Sequence, residues 1–398
     1  MVNKKVALIG NMNNNFSAFC KYLINDGVDA KLFLLNNDYF HPSQDSFNNE
    51  WESYTSQLKW GSIETFTSYF FKEIKKEFSK YDFLIGCGTV PAFFYKAGLK
   101  LDVFVPYGSD LYSIPFYKIV NPKRQILSLK LSKNQKKGIK ESASIFMAPT
   151  GGLLEKPLKK IKVISKVYQA GVPMLYYKDY YSSDFNKMKE KSDVSKKILE
   201  LKKQNKIIIF HNSRHYWKTK EDFYAIKNND SLFKGLKLLL QETNKESNFH
   251  IVTFEYGIDV DESKQLIKEL DIENYVTWLP KSNRKDVMIG MSLSDIVVGE
   301  LYHSSFSYGV IYEALALKKL IIHKRIDSLY ENYYDELYPM LYADGPKTIK
   351  DIFLSIQDKP DLLKKTGNSG FDWFKKHKRG RKMYFSKALL PKSLSVFS

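Results

Sequence analysis

Two basic residues in the second half of the chain are placed where they could neutralise a diphosphate. Arg214 follows a strand-like apolar run, and Lys234 stands beside Gly235 at the start of a predicted helix. Arginine offers a planar fork of donors and lysine a compact charge, so the pair suits a leaving group that gains negative charge. The alternative interpretation is that both are ordinary surface cations in a lysine-rich chain.

A carboxylate in an apolar helix is a further candidate for ligand binding. Glu313 lies four residues after Gly309, within the apolar segment 308–316. An acid at such a helix start, beside a glycine that lets the backbone approach a ligand, favours the binding of hydroxyl groups. An acid stabilised only by the helix dipole is the alternative.

Several other chemistries lack their sequence signatures. The segment that begins at Gly10 lacks the second and third glycines of a dinucleotide fingerprint, and the chain has no P-loop. The seven histidines show no metal-ligand spacing, no nucleophile elbow is present, and no Asp-x-Asp pair directly follows a predicted strand. We therefore expect no nicotinamide cofactor, no P-loop ATPase activity and no metal ion.

The elements that must position these residues alternate between strands and helices in both halves of the chain. Apolar runs predict strands at 4–9, 29–35, 81–85, 103–106, 144–148, 206–210, 249–254, 275–278, 295–298 and 319–323. Helical patterns lie between them, at 16–26, 62–79, 232–242, 261–270 and 310–317. Residues 36–60 are interpreted as a loop or insertion, and 176–204 as a connection that contains a helix.

This alternation predicts an α/β protein with two Rossmann-like domains, whose parallel sheets face each other across an interdomain cleft. We expect the first domain at 1–185 and the second at 186–365. A basic helix or tail at 366–398 is expected to pack back towards the first domain. Ligands of open parallel sheets bind beyond the carboxyl ends of the strands, where Arg214 and the other candidates lie.

The formal net charge of +18 is unevenly distributed over the 398 residues. Residues 121–170 carry 12 Lys/Arg against 2 acids, residues 361–398 carry 10 against 2, and the remainder balances at 40 against 40. A localised excess of this kind favours a polyanionic partner, either nucleic acid or anionic lipid. Solubilising lysines are the alternative, and aromatic residues do not interleave with the basic runs as a nucleic-acid stacking platform would require.

The remaining composition favours a soluble protein of the cytosol. The two cysteines, Cys20 and Cys87, exclude a disulfide framework and a structural zinc site. No window approaches the roughly 20 apolar residues of a membrane-spanning helix. The N-terminus enters a strand-like segment without the features of a signal peptide.

Taken in order, the motifs of residues 205–325 resemble those of GT-B glycosyltransferases, closest to the retaining family four group. That family shows a strand followed by Arg, then Lys-Gly-x-x-x-Leu, Val-x-Trp/Phe-x-Pro, Ser/Ala-Asp-Ile/Val-Val and Glu-Ala-Leu/Met-Ala. This sequence has Ser213-Arg214, Lys234-Gly235-Leu236-Lys237-Leu238-Leu239, Val276-Thr277-Trp278-Leu279-Pro280, Ser294-Asp295-Ile296-Val297-Val298 and Glu313-Ala314-Leu315-Ala316. The first half matches more loosely, through the strand that enters Gly10 and through Gly108-Ser109-Asp110.

The resemblance implies roles for the residues that carry it. Arg214 and Lys234 would hold the donor diphosphate and stabilise it as it departs. Glu313 would bind the ribose hydroxyls of the nucleotide. The loop around Leu279 and Pro280 would contact the base.

The resemblance also implies roles in the first half, and it shows two departures in the second. Gly10 would let the backbone approach the phosphate or the transferred sugar, and Asp110 would act near the acceptor. Many family members carry a sugar-contacting glutamate eight residues before the Glu313 equivalent, where this chain has Ser305. Their glycine usually falls one place before Gly309. Ser305 and Gly309 are nevertheless expected to line the donor site.

The resulting prediction is a glycosyltransferase that moves a sugar from a nucleotide-sugar donor to a glycan or lipid-linked acceptor. It would be metal-independent, retaining, and engaged in cell-surface polysaccharide or glycoconjugate synthesis. Its basic segments predict a peripheral position on the anionic inner face of the cell membrane. The alternatives are a GT-B epimerase or phosphorylase, a nucleic-acid-binding protein, and a catalytically inactive GT-B protein that only binds a glycan.

Overall fold

The fold is described from a computed structural model. It describes residues 4–68, 70–117, 122–147, 150, 154–168, 173–244, 246–304, 306 and 309–389. The chain forms two compact units, one containing the residues up to Tyr176 and those from Gly380, the other comprising Tyr177–Arg379. The N-terminal segment of the first unit therefore ends nine residues before position 185, the boundary expected from the sequence.

The first unit is built on a parallel sheet of seven strands. They are β1 (Lys5–Ile9), β2 (Asp29–Leu34), β3 (Thr55–Gln57), β4 (Phe83–Gly86), β5 (Val103–Phe104), β6 (Ser144–Phe146) and β7 (Lys166–Tyr168), in the spatial order β3-β2-β1-β4-β5-β6-β7. Its helices are α1 (Asn15–Asn25), α2 (Thr65–Ser68), α3 (Phe71–Phe78), α4 (Val90–Ala97), α5 (Ser109–Tyr112), α6 (Pro122–Glu141) and α7 (Glu155–Ile161). The parallel strands require such helical crossovers, because each strand must return to the same edge.

Strand β1 shows why the sheet of the first unit is covered on both faces. Its alternate residues point to opposite sides, and Ala7 and Ile9 join one buried cluster while Val6 and Leu8 join another. All four side chains are buried. A strand buried on both faces reads as a continuous apolar run, which is the signal the sequence offered here.

The second unit repeats this architecture with six parallel strands. They are β8 (Ile207–His211), β9 (Phe249–Phe254), β10 (Val276–Leu279), β11 (Ile296–Val298), β12 (Leu320–His323) and β13 (Leu341–Tyr342), in the order β10-β9-β8-β11-β12-β13. Its helices are α8 (Ser183–Lys191), α9 (Asp193–Lys203), α10 (Asp230–Glu242), α11 (Val260–Glu269), α12 (Arg284–Leu293), α13 (Gly309–Ala316), α14 (Pro346–Asp358) and, up to Arg379, α15 (Asp361–Leu389). In the described part of the chain, no helix has the length and the apolar composition that crossing a bilayer requires.

Gly235 has a packing role in this unit. A Cβ at this position in α10 would lie 2.6 Å from Ile349 Cγ2 and 3.1 Å from the Pro346 carbonyl oxygen of α14. Glycine is therefore needed for the close approach of α10 and α14. The glycine of the Lys-Gly motif consequently has a structural explanation that does not involve a ligand.

Several segments differ from the sequence-based expectations, and helix α6 was not expected at all. Residues 36–60 contain the edge strand β3, which pairs with β2. The helix expected at 62–79 is divided into α2 and α3. The segment 176–204, expected to be a connection that contains a helix, supplies two helices, α8 and α9, and Val194 and Ile198 of α9 are buried. Position 148, the predicted end of one strand, lies outside the described residues.

Candidate active site

In both sheets the order of the strands changes direction next to the strand that comes first in the sequence of that unit. In the second unit the reversal lies between β8 and β11, and in the first between β1 and β4. Open parallel sheets bind ligands outside the carboxyl ends of strands at such a point, because diverging crossovers leave a crevice there. Arg214 follows β8, and Gly10 follows β1. Each unit therefore brings one predicted residue to its own reversal point.

Arg214 is exposed at the carboxyl end of β8. Its guanidinium carbon lies 5.8 Å from the centre of the Tyr216 ring. The guanidinium group forms no ion pair with an acid in the described part of the chain. Its backbone is fixed, because the carbonyl accepts a hydrogen bond of 3.2 Å from Asn229 Nδ2. A cation on a fixed backbone without an internal partner is well placed for an external anion.

Lys234 lies on the adjacent helix but is already paired. Its Nζ donates to Asp230 Oδ2 at 2.7 Å, one turn earlier in α10, and lies 5.9 Å from the centre of the Trp217 ring. Trp217 follows Arg214 by three residues, so the loop after β8 and the first turns of α10 are neighbours. The side chain of Lys234 remains 43% exposed. A ligand that engages Lys234 must share it with Asp230.

The loop that carries Arg214 is held by a buried aspartate that the sequence analysis missed. Asp259 Oδ2 accepts from the backbone N–H groups of Trp217 at 2.7 Å, Lys218 at 2.8 Å and Thr219 at 3.0 Å. Burial acts to raise the pKa of Asp259, but the hydrogen bonds from Thr219, Trp217 and Lys218 outweigh it and lower that pKa. A carboxylate bonded this way fixes the loop in one conformation.

A buried hydrogen-bonded chain supports the same loop. Asn229 Nδ2 donates to His211 Nε2 at 3.2 Å, so His211 carries its proton on Nδ1, 3.1 Å from Thr253 Oγ1. His215 continues the chain, with Nε2 3.0 Å from Thr253 Oγ1 and Nδ1 2.8 Å from Ser263 Oγ. Burial lowers the pKa of His215 to about 4 and that of His211 well below its usual range. Both rings are therefore neutral at pH 7.

Glu313 lies at the same edge of the second sheet and has an ionic partner. Its carboxylate is buried, and Oε1 lies 2.8 Å from Arg284 Nη2, at the first residue of α12. A Cβ at Gly309 would lie 3.4 Å from Glu313 Oε1, so the glycine keeps the space beside the carboxylate open. Arg284 was not predicted, because nothing in its local sequence indicates a partner 29 residues away.

The other donor-side predictions have less direct support. Leu279 ends β10 with its side chain 1% exposed, so only its backbone or the exposed Pro280 can contact a ligand. Ser305 lies outside the described residues. Glu300, two residues after β11, is a buried acid that the sequence analysis missed, and it pairs with Lys227 at 3.1 Å. That pair ties the loop after β11 to the segment before α10.

Gly10 is required by the geometry of the first unit. Its φ of +88° lies in the left-handed region, and a Cβ would lie 2.7 Å from Cys87 Sγ. Its N–H donates to the Phe33 carbonyl at 2.8 Å, which fixes the turn after β1. The absence of a side chain has a structural cause here, and it also leaves the backbone open to a ligand.

Asp110 is completely buried and fully engaged by backbone groups. Its Oδ1 accepts from Tyr107 N at 3.1 Å and Gly108 N at 3.0 Å, and its Oδ2 accepts from Gly88 N at 3.1 Å. Burial raises its pKa to about 7, against the opposing effect of these hydrogen bonds. This placement favours a role in fixing the loops after β4 and β5 over direct contact with an acceptor.

A second acid of the first unit is better placed for proton transfer. Asp38 is half-buried after β2, and its Oδ2 accepts from Leu35 N at 2.7 Å. Burial raises its pKa to about 6, within the range suited to an acid–base group at neutral pH. Asp38 was not predicted, because it lies in the segment interpreted as a loop.

Comparison with known proteins decides the fold. No family model and no curated protein matches the chain. Among solved structures, Anabaena HepE in complex with UDP matches with a TM-score of 0.60 at 13% identity, over 97% of this chain and 99% of that one. The chain has the GT-B fold. A glycosyltransferase from Rickettsia africae matches with a TM-score of 0.57 at 16% identity (98% and 99% covered), and Staphylococcus aureus MnaA with UDP with 0.51 at 12% (97% and 98%).

In this GT-B chain the predicted residues form one set in each unit. Arg214, Lys234, Gly309 and Glu313 lie at the carboxyl edge of the second sheet, and Gly10 lies at that of the first. The second unit thus combines a cation without an internal partner with a buried carboxylate, a combination that can bind a phosphate and a hydroxyl group. Among the described residues, no three His, Cys, Asp or Glu side chains cluster as metal ligands would.

Proposed function

We propose that the protein is a glycosyltransferase that binds a nucleotide-sugar donor at the carboxyl edge of the second sheet. The observation that carries this proposal is the Arg214 guanidinium, held on a rigid loop without an internal acid, next to the helix that carries Lys234. Glu313 at the same edge would bind the ribose hydroxyls. The GT-B structures solved with UDP, among them HepE, support a nucleotide ligand.

In this reaction the bond between the anomeric carbon and the diphosphate oxygen breaks, and a bond to the acceptor oxygen forms. The departing diphosphate gains negative charge, and preorganised positive charge at that position lowers the barrier. Arg214 supplies a planar pair of donors and Lys234 a compact charge, so we propose a metal-independent reaction. Retention of the anomeric configuration is proposed from the sequence resemblance.

The acceptor would be a glycan or a lipid-linked sugar of a cell-surface polysaccharide, bound by the first unit. Gly10 and the loops fixed by Asp110 lie at the carboxyl edge of its sheet, and Asp38 beside them is suited to receive the acceptor proton. We place the enzyme in the cytoplasm, peripheral to the inner face of the membrane, because its excess positive charge suits anionic lipid.

The test compares Arg214→Ala, Lys234→Ala and the control Lys237→Ala, which removes a lysine three residues along the same helix. UDP release from a UDP-sugar is measured with and without an acceptor, and circular dichroism checks the fold. We expect Arg214→Ala to lower kcat/KM by about 100-fold, in the range typical of a lost transition-state donor. We expect a smaller loss for Lys234→Ala and none for Lys237→Ala.

Two results would contradict the proposal. Wild-type turnover in both Arg214→Ala and Lys234→Ala would show that these residues do not form the diphosphate site. Consumption of the donor without acceptor-dependent UDP release would exclude transfer, with free UDP indicating hydrolysis and a UDP-sugar stereoisomer indicating another GT-B reaction, such as epimerisation.

A further inference from the structure

Helix α6 presents a basic face to solvent. Among its described side chains, those of Ile126, Leu129, Lys130, Lys133, Lys137, Lys140 and the terminal Glu141 are exposed, and their spacing of three or four residues places them along one side of a helix. Ile126 is 60% exposed and Leu129 is 38% exposed. The opposite side is buried and includes Leu131, Gln135 and Ile139. The helix therefore has one buried side and one solvent-facing side, which carries lysines and two aliphatic side chains.

Helix α7 and the turn after it extend this surface. Lys136 Nζ of α6 and Lys160 Nζ of α7 lie 5.0 Å and 4.5 Å from the centre of the same ring, that of Phe116. Ser165 Oγ donates to the Ser142 carbonyl, which places the turn beside the end of α6. That turn exposes 93% of Ile164. We call this surface, formed by the exposed residues of α6, α7 and the turn at 162–166, the basic face.

The charge of the basic face is not neutralised internally. Residues 126–168 contain ten lysines and two acids. Glu141 lies 4.0 Å from Lys100, and Glu155 accepts a hydrogen bond from Thr150 Oγ1 at 2.6 Å. None of the ten lysines forms an ion pair within the described residues. This surface therefore favours an external polyanion.

The apolar side chains of the basic face distinguish between two polyanions. Ile126, Leu129 and Ile164 are aliphatic. Transfer of such side chains from water to the boundary between lipid headgroups and acyl chains is favourable. Single-stranded nucleic acid is instead bound by exposed aromatic side chains on which bases stack. Between residues 126 and 168, the described residues include no exposed aromatic side chain.

We propose that the basic face lies on an anionic phospholipid bilayer, with Ile126 and Leu129 inserted at the level of the headgroups. Each lysine near such a surface strengthens partitioning by about fivefold. The four lysines of α6 named above would together contribute several-hundredfold. The proposal deepens the proposed function and rests on it only for the identity of the reaction.

The buried side of α6 connects this surface to the predicted acceptor side. Gln135 Nε2 donates to the carbonyls of Gly88 at 2.8 Å and Asp110 at 3.1 Å, and its Oε1 accepts from Ala92 N at 3.1 Å. The helix that would contact lipid therefore also holds the loops after β4 and β5. An acceptor anchored in the same bilayer would be presented to those loops.

The experiment is sedimentation of the full-length protein with phosphatidylcholine vesicles, with and without phosphatidylglycerol. One variant reverses four lysines of the basic face, Lys130, Lys133, Lys137 and Lys140, to Glu. A control reverses four exposed lysines of the same unit, Lys72, Lys75, Lys76 and Lys80, with the same change in net charge. A third variant combines Ile126→Ser and Leu129→Ser.

We expect the wild type to bind only the anionic vesicles, and the basic-face reversal to lose at least 100-fold in partitioning. The control reversal should lose much less, and the double serine variant about tenfold. The proposal is overturned if the wild type does not bind anionic vesicles, or if both reversals weaken binding equally. Binding of duplex DNA that the basic-face reversal abolishes, without vesicle binding, would assign the surface to nucleic acid.

Turnover with a water-soluble acceptor separates this proposal from the proposed function. The basic-face reversal should keep wild-type turnover in that assay. Vesicle binding by a protein that transfers no sugar would contradict the proposed function and leave the lipid-binding surface intact. Sugar transfer by a protein that does not bind vesicles would contradict the lipid-binding surface and leave the proposed function intact.

Discussion

At the scale of single residues, the two cations of the candidate donor site differ in what surrounds them. Arg214 has no acidic partner among the described residues, whereas Lys234 donates to Asp230 at 2.7 Å. A diphosphate bound at Arg214 gains a charge-assisted bond without breaking another. At Lys234 it must compete with a carboxylate, and for this reason we expect Arg214 to contribute more to donor binding.

Arg284 gives a prediction about nucleotide recognition. Arg284→Gln removes the guanidinium 2.8 Å from Glu313 Oε1 and leaves a buried carboxylate without its charge partner. We expect the affinity for UDP to fall about tenfold, which corresponds to about 1.4 kcal/mol. Because Glu313 is proposed to bind the ribose, discrimination between UDP and its 2′- and 3′-deoxy analogues should also decrease. Calorimetric titration measures both quantities.

The conservative variant Arg284→Lys serves as the control, because it retains a positive charge near Glu313. It should recover part of the lost affinity. An unchanged ratio between UDP and deoxy-UDP affinities in Arg284→Gln would show that Arg284 does not orient Glu313 for a nucleotide.

His215 gives a prediction about pH. Burial lowers its pKa to about 4, whereas unfolded histidines titrate near 6.5, so the folded protein binds this proton more weakly than the unfolded chain. Stability is therefore complete above pH 6.5 and decreases as the pH falls towards 4, by about 3 kcal/mol from this group. Urea unfolding at several pH values should show a shallower decrease for His215→Gln. His303→Gln, outside the buried chain, should follow the wild type.

At the scale of elements, the apolar strands were predictable and several helices were not. The predicted strand at 249–254 is β9, with all six residues buried, and 206–210 is displaced from β8 by one residue. Such strands, covered on both faces, give continuous apolar runs. The edge strand β3 has the sequence Thr-Ser-Gln and no buried residue, so its pairing with β2 leaves no apolar pattern. Helix α6 was missed because lysines interrupt its apolar periodicity.

The candidate site was likewise predictable only in part from the sequence. Arg214 and Glu313 stand in local motifs beside strand and helix ends, and their positions at the sheet edge follow from the alternation of elements. Arg284 pairs with Glu313, 29 residues away. Asp259 accepts hydrogen bonds from residues 40 or more positions away, such as Thr219. Only the folded sheet brings such pairs together. The burial of Asp110 likewise depends on the loops that wrap around it.

Gly138 provides a prediction about the packing of helix α6. A Cβ there would lie 1.9 Å from the carbonyl oxygen of Pro91 in α4, so the two helices touch backbone to backbone. Gly→Ala in an open helix stabilises by up to about 1 kcal/mol. Here the helices must separate, and we expect a net loss of about 3 kcal/mol in the free energy of unfolding.

Urea denaturation of Gly138→Ala checks this value. Asn134→Ala, at a solvent-facing position one turn earlier, is the matched control and should not destabilise the protein. Equal stability of the two variants would contradict the close contact between α4 and α6.

At the scale of the whole molecule, each unit has its own buried core and its own sheet. A ligand that binds only the folded state stabilises it by about 2.7 kcal/mol at one hundred times its Kd. We expect UDP to raise the melting temperature, and amide hydrogen exchange to slow mainly between residues 211 and 219 and at the starts of α10 and α13. Protection confined to the first unit would contradict the assignment of the donor to the second.

Both cysteines of the chain belong to the first unit, and neither reaches the surface. Cys20 is packed in α1, and Cys87 lies under the turn at Gly10, with burial raising the pKa of each thiol. Alkylating reagents require an accessible thiolate, so they should modify this protein only when the first unit opens. The second unit contains no cysteine at all. The rate of maleimide labelling therefore reports the local opening of one half of the molecule, without any engineered probe.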